Sequence, residues 1–297
     1  MVTTREHLVP VDDGIELHVR DHLPSGARDD AHPDDTAASF LLVHGLSSNA
    51  LLWDGVAATL AAAGHRSVAV DLRAHGRSDA SDDLTHGRIV ADLATVIDRT
   101  GLGRPYAVGQ SWGGNLVVEL AAARPGTVAG IVGVDGGLIT LSDRFLDVAT
   151  CWEVLAPPRL DHLRWADLEA GVAARTRGWP DGAARAQLGN LTSDEHGRVR
   201  AILTRERHRS IVEQLYAHRP LDQLATLEVP MLLLAVTGDE RGVTDERTVA
   251  AAVAAAGERF TAVLLPGRDH DVHLQEPATV ATLLLDWVAG RPVPEVA

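Results

Sequence analysis

Tyr106-Ala-Val-Gly-Gln-Ser-Trp-Gly-Gly-Asn115 carries the pattern Gly-x-Ser-x-Gly, with Ser111 at its centre. Alone the pattern is weak, arising by chance in about one chain in ten of this composition. Its surroundings give it meaning. Tyr106 to Val108 reads as a short buried strand, and Trp112 to Ala123 as a helix stopped by Arg124-Pro125. A strand that turns so sharply into a helix leaves no room for side chains beside the serine, hence the flanking glycines. Ser111 then stands at a helix N-terminus, where free N–H groups and the helix dipole favour developing negative charge.

Outward from this stretch, strands and helices alternate. Upstream, Phe40-Leu-Leu-Val43 is a strand, Asn49 to Ala63 a helix ending at Gly64, Ser67 to Val70 a strand, and His86 to Arg99 a helix by its apolar spacing. Downstream come a strand over Val128 to Val134 and, after a gap, a strand over Met231 to Val236. A helix over Thr244 to Ala256, a strand over Phe260 to Leu265 and a helix over Ala278 to Ala289 complete the pattern. At the start, Glu6 to Val11 and Ile15 to Asp21 alternate across Asp13-Gly14 and predict a β-hairpin. Pro24 to Ser39 predicts a surface loop. The alternation implies an α/β fold with a mainly parallel sheet covered on both faces.

The gap, about Leu138 to Leu221, has no strong strand signal and holds Trp152, Trp165 and Trp179. Residues 141–220 carry 12 Arg against 11 acidic residues, while the rest of the chain carries 15 against 30. A near-neutral helical insert of this kind reads as a cap over an active site. The expected organisation is a core of residues 1–137 and 222–297 with an inserted cap at 138–221. The 297-residue chain has a net charge of −14, which argues against nucleic acid or an anionic membrane as partner, because both need a basic footprint. No apolar run approaches the ~18 residues of a membrane span, and no leader-like apolar stretch opens the chain, so a cytoplasmic location is the default expectation. The one cysteine, Cys151, cannot form an internal disulfide and reads as a small buried apolar residue.

Over nearly its whole length the chain resembles the α/β-hydrolase superfamily. His44-Gly45-Leu46 is similar to the family's oxyanion loop after the third strand. Asp71-Leu-Arg-Ala-His75-Gly76-Arg77-Ser78 is similar to its loop after the fourth. Pro266-Gly267-Arg268-Asp269-His270 is similar to its catalytic-histidine loop, with Asp269 where glycine is common. The resemblance implies an α/β-hydrolase fold with Ser111 as nucleophile. Haloalkane dehalogenases and epoxide hydrolases of this fold place aspartate at that position; serine favours acyl transfer.

A serine hydroxyl needs a base to take its proton. His270 follows the last predicted strand and precedes the final helix, which matches the family's chain order of serine, acid, histidine. His273 reads as a pocket or structural residue, and His44 and His75 as packing or loop-tying residues. Two carboxylates are candidates for the acid. Asp135 lies 24 residues past Ser111, at the end of the strand after the serine helix, a position used by some branches. Asp239 follows Met231 to Val236, the more usual position, although Val236 stands where a glycine is usual. Asp135 is favoured and Asp239 stays open; Asp271 is too close in sequence to His270. The backbone N–H groups of Leu46 and Trp112 are the expected oxyanion donors, with the Trp112 side chain either lining the pocket or packing beneath the cap.

These features point to an acyl hydrolase acting on a carboxylic ester, lactone or related small molecule, apolar or aromatic if the cap tryptophans meet it. The same residues would serve a perhydrolase or a carbon–carbon bond hydrolase. A ligand-binding receptor or pseudo-enzyme on this fold is the alternative of another class. No cofactor is implied. No metal is implied either, since the chain has no His-Glu-x-x-His and no cysteine pair. No sequence feature assigns an oligomeric state.

Overall fold

Phe40 to Val43 and Met231 to Val236 are apolar without interruption, and all of these side chains are buried. Strands buried on both faces lack the polar alternation of an exposed sheet. The computed structural model, which describes residues 3–24, 37–237 and 246–293, places both runs inside an eight-stranded sheet. Its strands are β1 (Thr3–Pro10), β2 (Glu16–Leu23), β3 (Ser39–Val43), β4 (Arg66–Val70), β5 (Tyr106–Gln110), β6 (Gly130–Val134), β9 (Met231–Thr237) and β10 (Phe260–Pro266). The order is β1-β2-β4-β3-β5-β6-β9-β10. The pairs β1–β2 and β2–β4 are antiparallel and the rest parallel.

Side chains one residue apart on these strands enter different cores, as the two-residue strand period demands. Leu41, Val43, Ala107, Ile131 and Leu233 join the cluster beneath α2 (His86–Thr100) and α3 (Trp112–Ala123). Phe40, Leu42, Val108, Val132 and Leu234 join the one beneath α1 (Asp54–Ala62) and α11 (Pro277–Val288). The helix α2 ends at Gly101, whose φ of 65° gives the left-handed cap that glycine adopts freely. The helix α9 (Glu246–Ala256) lies beside β10. Its predicted start at Thr244 falls outside the described residues, as does most of the predicted loop at 24–39.

Two local features differ from the sequence reading. The helix expected from Asn49 begins as a 3-10 turn, Ala50–Trp53, before α1. Its first N–H groups are taken by side chains: Ala50 N–H donates to Asp71 Oδ1 at 2.7 Å, and Leu51 N–H to Asn49 Oδ1 at 3.0 Å. The 138–221 segment contains helices α4 (Val148–Leu155), α5 (Trp165–Arg175), α6 (Ala183–Leu188), α7 (Arg205–Ala217) and α8 (Pro220–Leu224). It also holds an unpredicted hairpin, β7 (Leu191–Ser193) with β8 (Val199–Ala201). Three-residue strands are too short to show alternation; the turn is made by Asp194 Oδ1, which accepts from His196 and Arg198 N–H. The boundary drawn at 221 falls within α8. Cys151, Ile211 and Val212 of this segment are buried in the same cluster as α2 and α3. No helix among the described residues is long and apolar enough to cross a membrane.

Candidate active site

Parallel register aligns the carboxyl ends of the strands. Val43 pairs with Gly109, Gln110 with Val134, and Val134 with Leu234. The segments leaving β3, β5 and β6 therefore emerge side by side at one edge, where α/β sheets hold their ligands. Ser111 sits between β5 and α3 with φ 53° and ψ −123°, backbone geometry that a non-glycine residue adopts only at about 1–3 kcal/mol. Two bonds hold it: Ser111 N–H donates to Val134 C=O at 3.0 Å, and Gly114 N–H to Ser111 C=O at 2.9 Å. Close approach explains the glycines. A Cβ on Gly109 would stand 2.1 Å from Gly113 O, and one on Gly136 would stand 2.2 Å from Ser111 O.

Asp135 follows β6 and is buried, with φ 41°. Its Oδ2 lies 2.5 Å from His270 Nδ1. The loop after β10 delivers the imidazole, and Gln110 helps seat that loop by donating Nε2–H to His270 C=O at 3.2 Å. Burial pushes the His270 pKa down, but the hydrogen bond and charge of Asp135, with the charges of Asp271 and Asp269, outweigh it and hold the group above its ordinary value. Asp239 lies outside the described residues. Among the described residues no hydrogen bond joins Ser111 Oγ to the imidazole; in free enzymes such contacts are often long and tighten only around substrate.

The loop after β3 makes a turn closed by Ser48 N–H to Gly45 C=O at 3.2 Å, with Ser47 at φ 55°. Among the described residues, no turn, loop or cap hydrogen bond uses the N–H of Leu46 or of Trp112. As the first residue of α3, Trp112 has no helical acceptor for that donor. His44 ties the loop down. Its Nε2 accepts from Leu72 N–H at 3.0 Å, so the proton sits on Nδ1, 2.7 Å from Gly45 C=O. Burial keeps its pKa below the ordinary value. His75 and His273 are buried and pushed down to about 3, chiefly by burial. His273 packs on Trp53 at 4.5 Å between ring centroids. Cys151 is buried and free.

The Trp112 indole is enclosed by its neighbours. It is fully buried, donates Nε1–H to His86 Nε2 at 2.9 Å, and packs against the His75 and His86 rings. His86, Glu119 and His218 together place three potential metal-ligand atoms within 4.8 Å of one another.

The 138–221 segment is bonded to the strand-end loops by side chains with no motif to mark them. Ser47 Oγ meets His208 Nδ1 of α7 at 2.8 Å. Asn49 Nδ2 donates to Ala186 C=O and Asn190 Oδ1, and Gln187 Nε2 donates to Asp271 Oδ2. Between the segment and these loops lies a cavity of about 420 Å³, lined by Ser47, His75, Pro157, Leu160, Ile202 and Leu203 among others. Ser111 and His270 do not line it, and none of the three tryptophans does. Trp152 lies under the Arg205 and Arg209 guanidiniums at 5.0 and 5.8 Å, and Trp179 packs with Leu52 and Ala183. Trp165 lines a second cavity of about 600 Å³, beside His18 and Arg77.

The family model for the alpha/beta hydrolase fold matches residues 38–229. The chain belongs to that family. It is 34% identical over 167 residues to the lipase LipV of Mycobacterium tuberculosis, covering 56% of this chain and 57% of the lipase. It is 33% identical over 108 residues to epoxide hydrolase B of the same organism, covering 35% of this chain and 30% of that enzyme. The chain thus spans little more than half, or less, of the length of these curated relatives. The solved structure of E-2-(acetamidomethylene)succinate hydrolase superimposes with a TM-score of 0.77 at 20% identity, covering 97% of this chain and 100% of that one. This last likeness is one of fold.

Proposed function

We propose that the protein is a serine hydrolase that cleaves a carboxylic ester, lactone or related acyl bond through an acyl-enzyme. Ser111 Oγ attacks the carbonyl carbon while His270 Nε2 takes the hydroxyl proton. The Leu46 and Trp112 amides receive the oxyanion. His270 then returns the proton to the leaving group, and a water activated by the same imidazole releases the acid and restores Ser111. Asp135 holds the imidazole with its proton on Nδ1 and stabilises the imidazolium as it forms. The 138–221 segment acts as the cap, and the cavity beside Ser47, where Pro157, Leu160, Ile202 and Leu203 form part of the wall, receives an apolar part of the substrate.

The observation that carries this reading is the 2.5 Å contact of His270 Nδ1 with a buried carboxylate, on a loop packed against the serine turn. It is what a base needs when its other nitrogen must work on a hydroxyl. Asp135→Asn and Asp239→Asn kinetics on an activated ester test it. Asp135→Asn is expected to lower kcat by about 10⁴, with Asp239→Asn near wild type. Near-wild-type rates in both variants would defeat the assignment.

A further inference from the structure

Beneath the serine helix lies a buried polar chain that no step of the reaction uses. Its hydrogen positions follow from its ends. Asn115 Oδ1 accepts from Gly137 and Ile139 N–H, both at 3.2 Å, so its Nδ2 is the atom facing Ile139 C=O at 2.8 Å and His218 Nδ1 at 3.1 Å. That amide hydrogen requires a lone pair on His218 Nδ1 and leaves the His218 proton on Nε2. This N–H faces Gln223 Oε1 at 3.3 Å and lies 3.6 Å from Glu119 Oε2. At the other end, the Trp112 indole can only donate, so His86 Nε2 is a lone pair and its proton is on Nδ1. That N–H points at Glu119 Oε2, 3.0 Å away. One carboxylate oxygen therefore accepts the N–H of one neutral imidazole and stands close to that of a second.

The same hydrogens decide against a metal. Coordination would need bare lone pairs on His86 Nδ1 and His218 Nε2, which moves each proton to the opposite nitrogen. There it would confront the indole N–H of Trp112 or the amide hydrogens of Asn115. Metal-bound histidines show the reverse, an outer N–H donated to an acceptor. Glu119 is instead held below the usual carboxylate range: burial pushes it up, and the hydrogen bond from His86 leads the effects that outweigh burial.

We propose that Glu119 is a positioning residue: by accepting the Nδ1–H of His86 it sets the tautomer that anchors the Trp112 indole, and so steadies the first N–H of α3. Only the consequence for turnover rests on the acyl-hydrolase reading. The indole is the side chain of the residue whose backbone N–H follows Ser111, so freeing the ring lets the first turn of α3 shift. Through His218, which follows α7, and Asn115, which holds the backbone at Gly137 and Ile139, the same network joins that turn to both ends of the cap.

The test reads His86 by ¹⁵N NMR of histidine-labelled protein and follows hydrogen exchange of the Trp112 indole, assigned with Trp112→Phe. It compares wild type, Glu119→Gln, which keeps an acceptor oxygen, and Glu119→Leu, which has none. Wild type and Glu119→Gln are expected to show the Nδ1–H tautomer and a slowly exchanging indole. In Glu119→Leu the tautomer moves to Nε2–H and indole exchange accelerates. On an activated ester its kcat falls about tenfold with KM changed less than about threefold, and Glu119→Gln recovers most of the loss. An Nε2–H tautomer in the wild type would overturn the proposal, and that reading needs no variant to fold. So would an unchanged tautomer and indole exchange in Glu119→Leu, or stoichiometric uptake of zinc by the wild type at this cluster. A wild type that hydrolyses no ester and whose Ser111 takes no fluorophosphonate would defeat the acyl-hydrolase reading, while the tautomer and the indole would still decide the role of Glu119.

Discussion

Gly113→Ala would place a Cβ 2.5 Å from the carbonyl oxygens of both Val43 and His44. Both neighbours are backbone, one in β3 and the other at its end, so neither can swing aside. Ordinary contact begins at 3.4 Å, so α3 and the strand must separate by about 0.9 Å. The two expected oxyanion donors lie on opposite sides of this seam, Trp112 N–H on the helix and Leu46 N–H on the loop after β3. A misplacement of ~1 Å at reacting groups can lower a rate about a hundredfold, the loss in kcat/KM expected here. Overpacking also lowers stability by about 1–3 kcal/mol. The control is Gly171→Ala in the interior of α5, where an added Cβ meets nothing within 4 Å. There the same methyl is expected to stabilise by about 0.5–1 kcal/mol without altering turnover. Ester hydrolysis and urea denaturation of both variants decide the matter. A Gly113→Ala protein with wild-type kcat/KM would refute the reasoning, even if it were less stable.

Stability should fall with acid well before the carboxylates titrate. His75, His208 and His273 have pKa values pushed down to about 3, 4 and 3, chiefly by burial. Each favours the fold fully above pH ~6.5 and loses that contribution as pH falls towards its folded value, by up to about 1.4 kcal/mol per unit. His270, whose pKa is raised, runs the other way: its contribution is present below pH ~6.5 and is lost as pH rises through the folded value. His44 and His218 are lowered as well, and five against one gives a net fall between pH 6.5 and 5, measurable by urea denaturation; a flat profile there would contradict it. Arg73 is fully buried and forms a two-bond pair with Asp92, at 2.6 and 2.9 Å. Asp92→Ala leaves that guanidinium only the more distant Asp13 carboxylate, at 3.3 Å, and should cost about 3 kcal/mol in the same assay. A loss below about 1 kcal/mol would show the pair to be replaceable.

Local signals were the legible ones. The serine turn could be read because strand, glycines and helix lie within a few residues, and the strands because burial on both faces leaves unbroken apolar runs. Asp135 and His270 were approachable as ends of predicted strands, though 135 residues separate them. What stayed hidden is long-range pairing of common residues. His208 meets Ser47 across 161 positions, and His218 meets Asn115 across 103. No spacing rule marks such pairs, because only the packing of the 138–221 segment on the strand ends brings them together. The cap tryptophans show the same limit. Composition locates bulky side chains in a segment but not the face they take, and Trp152 turns to two arginines rather than to the cavity beside Ser47. The identity of Trp112 allowed either a pocket wall or a packed side chain; its N–H needs an acceptor when buried and meets His86.

The most direct measurement is covalent labelling of the purified protein with a fluorophosphonate, with the adduct located by peptide mass spectrometry. One adduct per chain on Ser111, abolished in His270→Ala, is the expected result and would establish a serine activated by that imidazole. No adduct on the folded protein, an adduct elsewhere, or undiminished labelling in His270→Ala would contradict it.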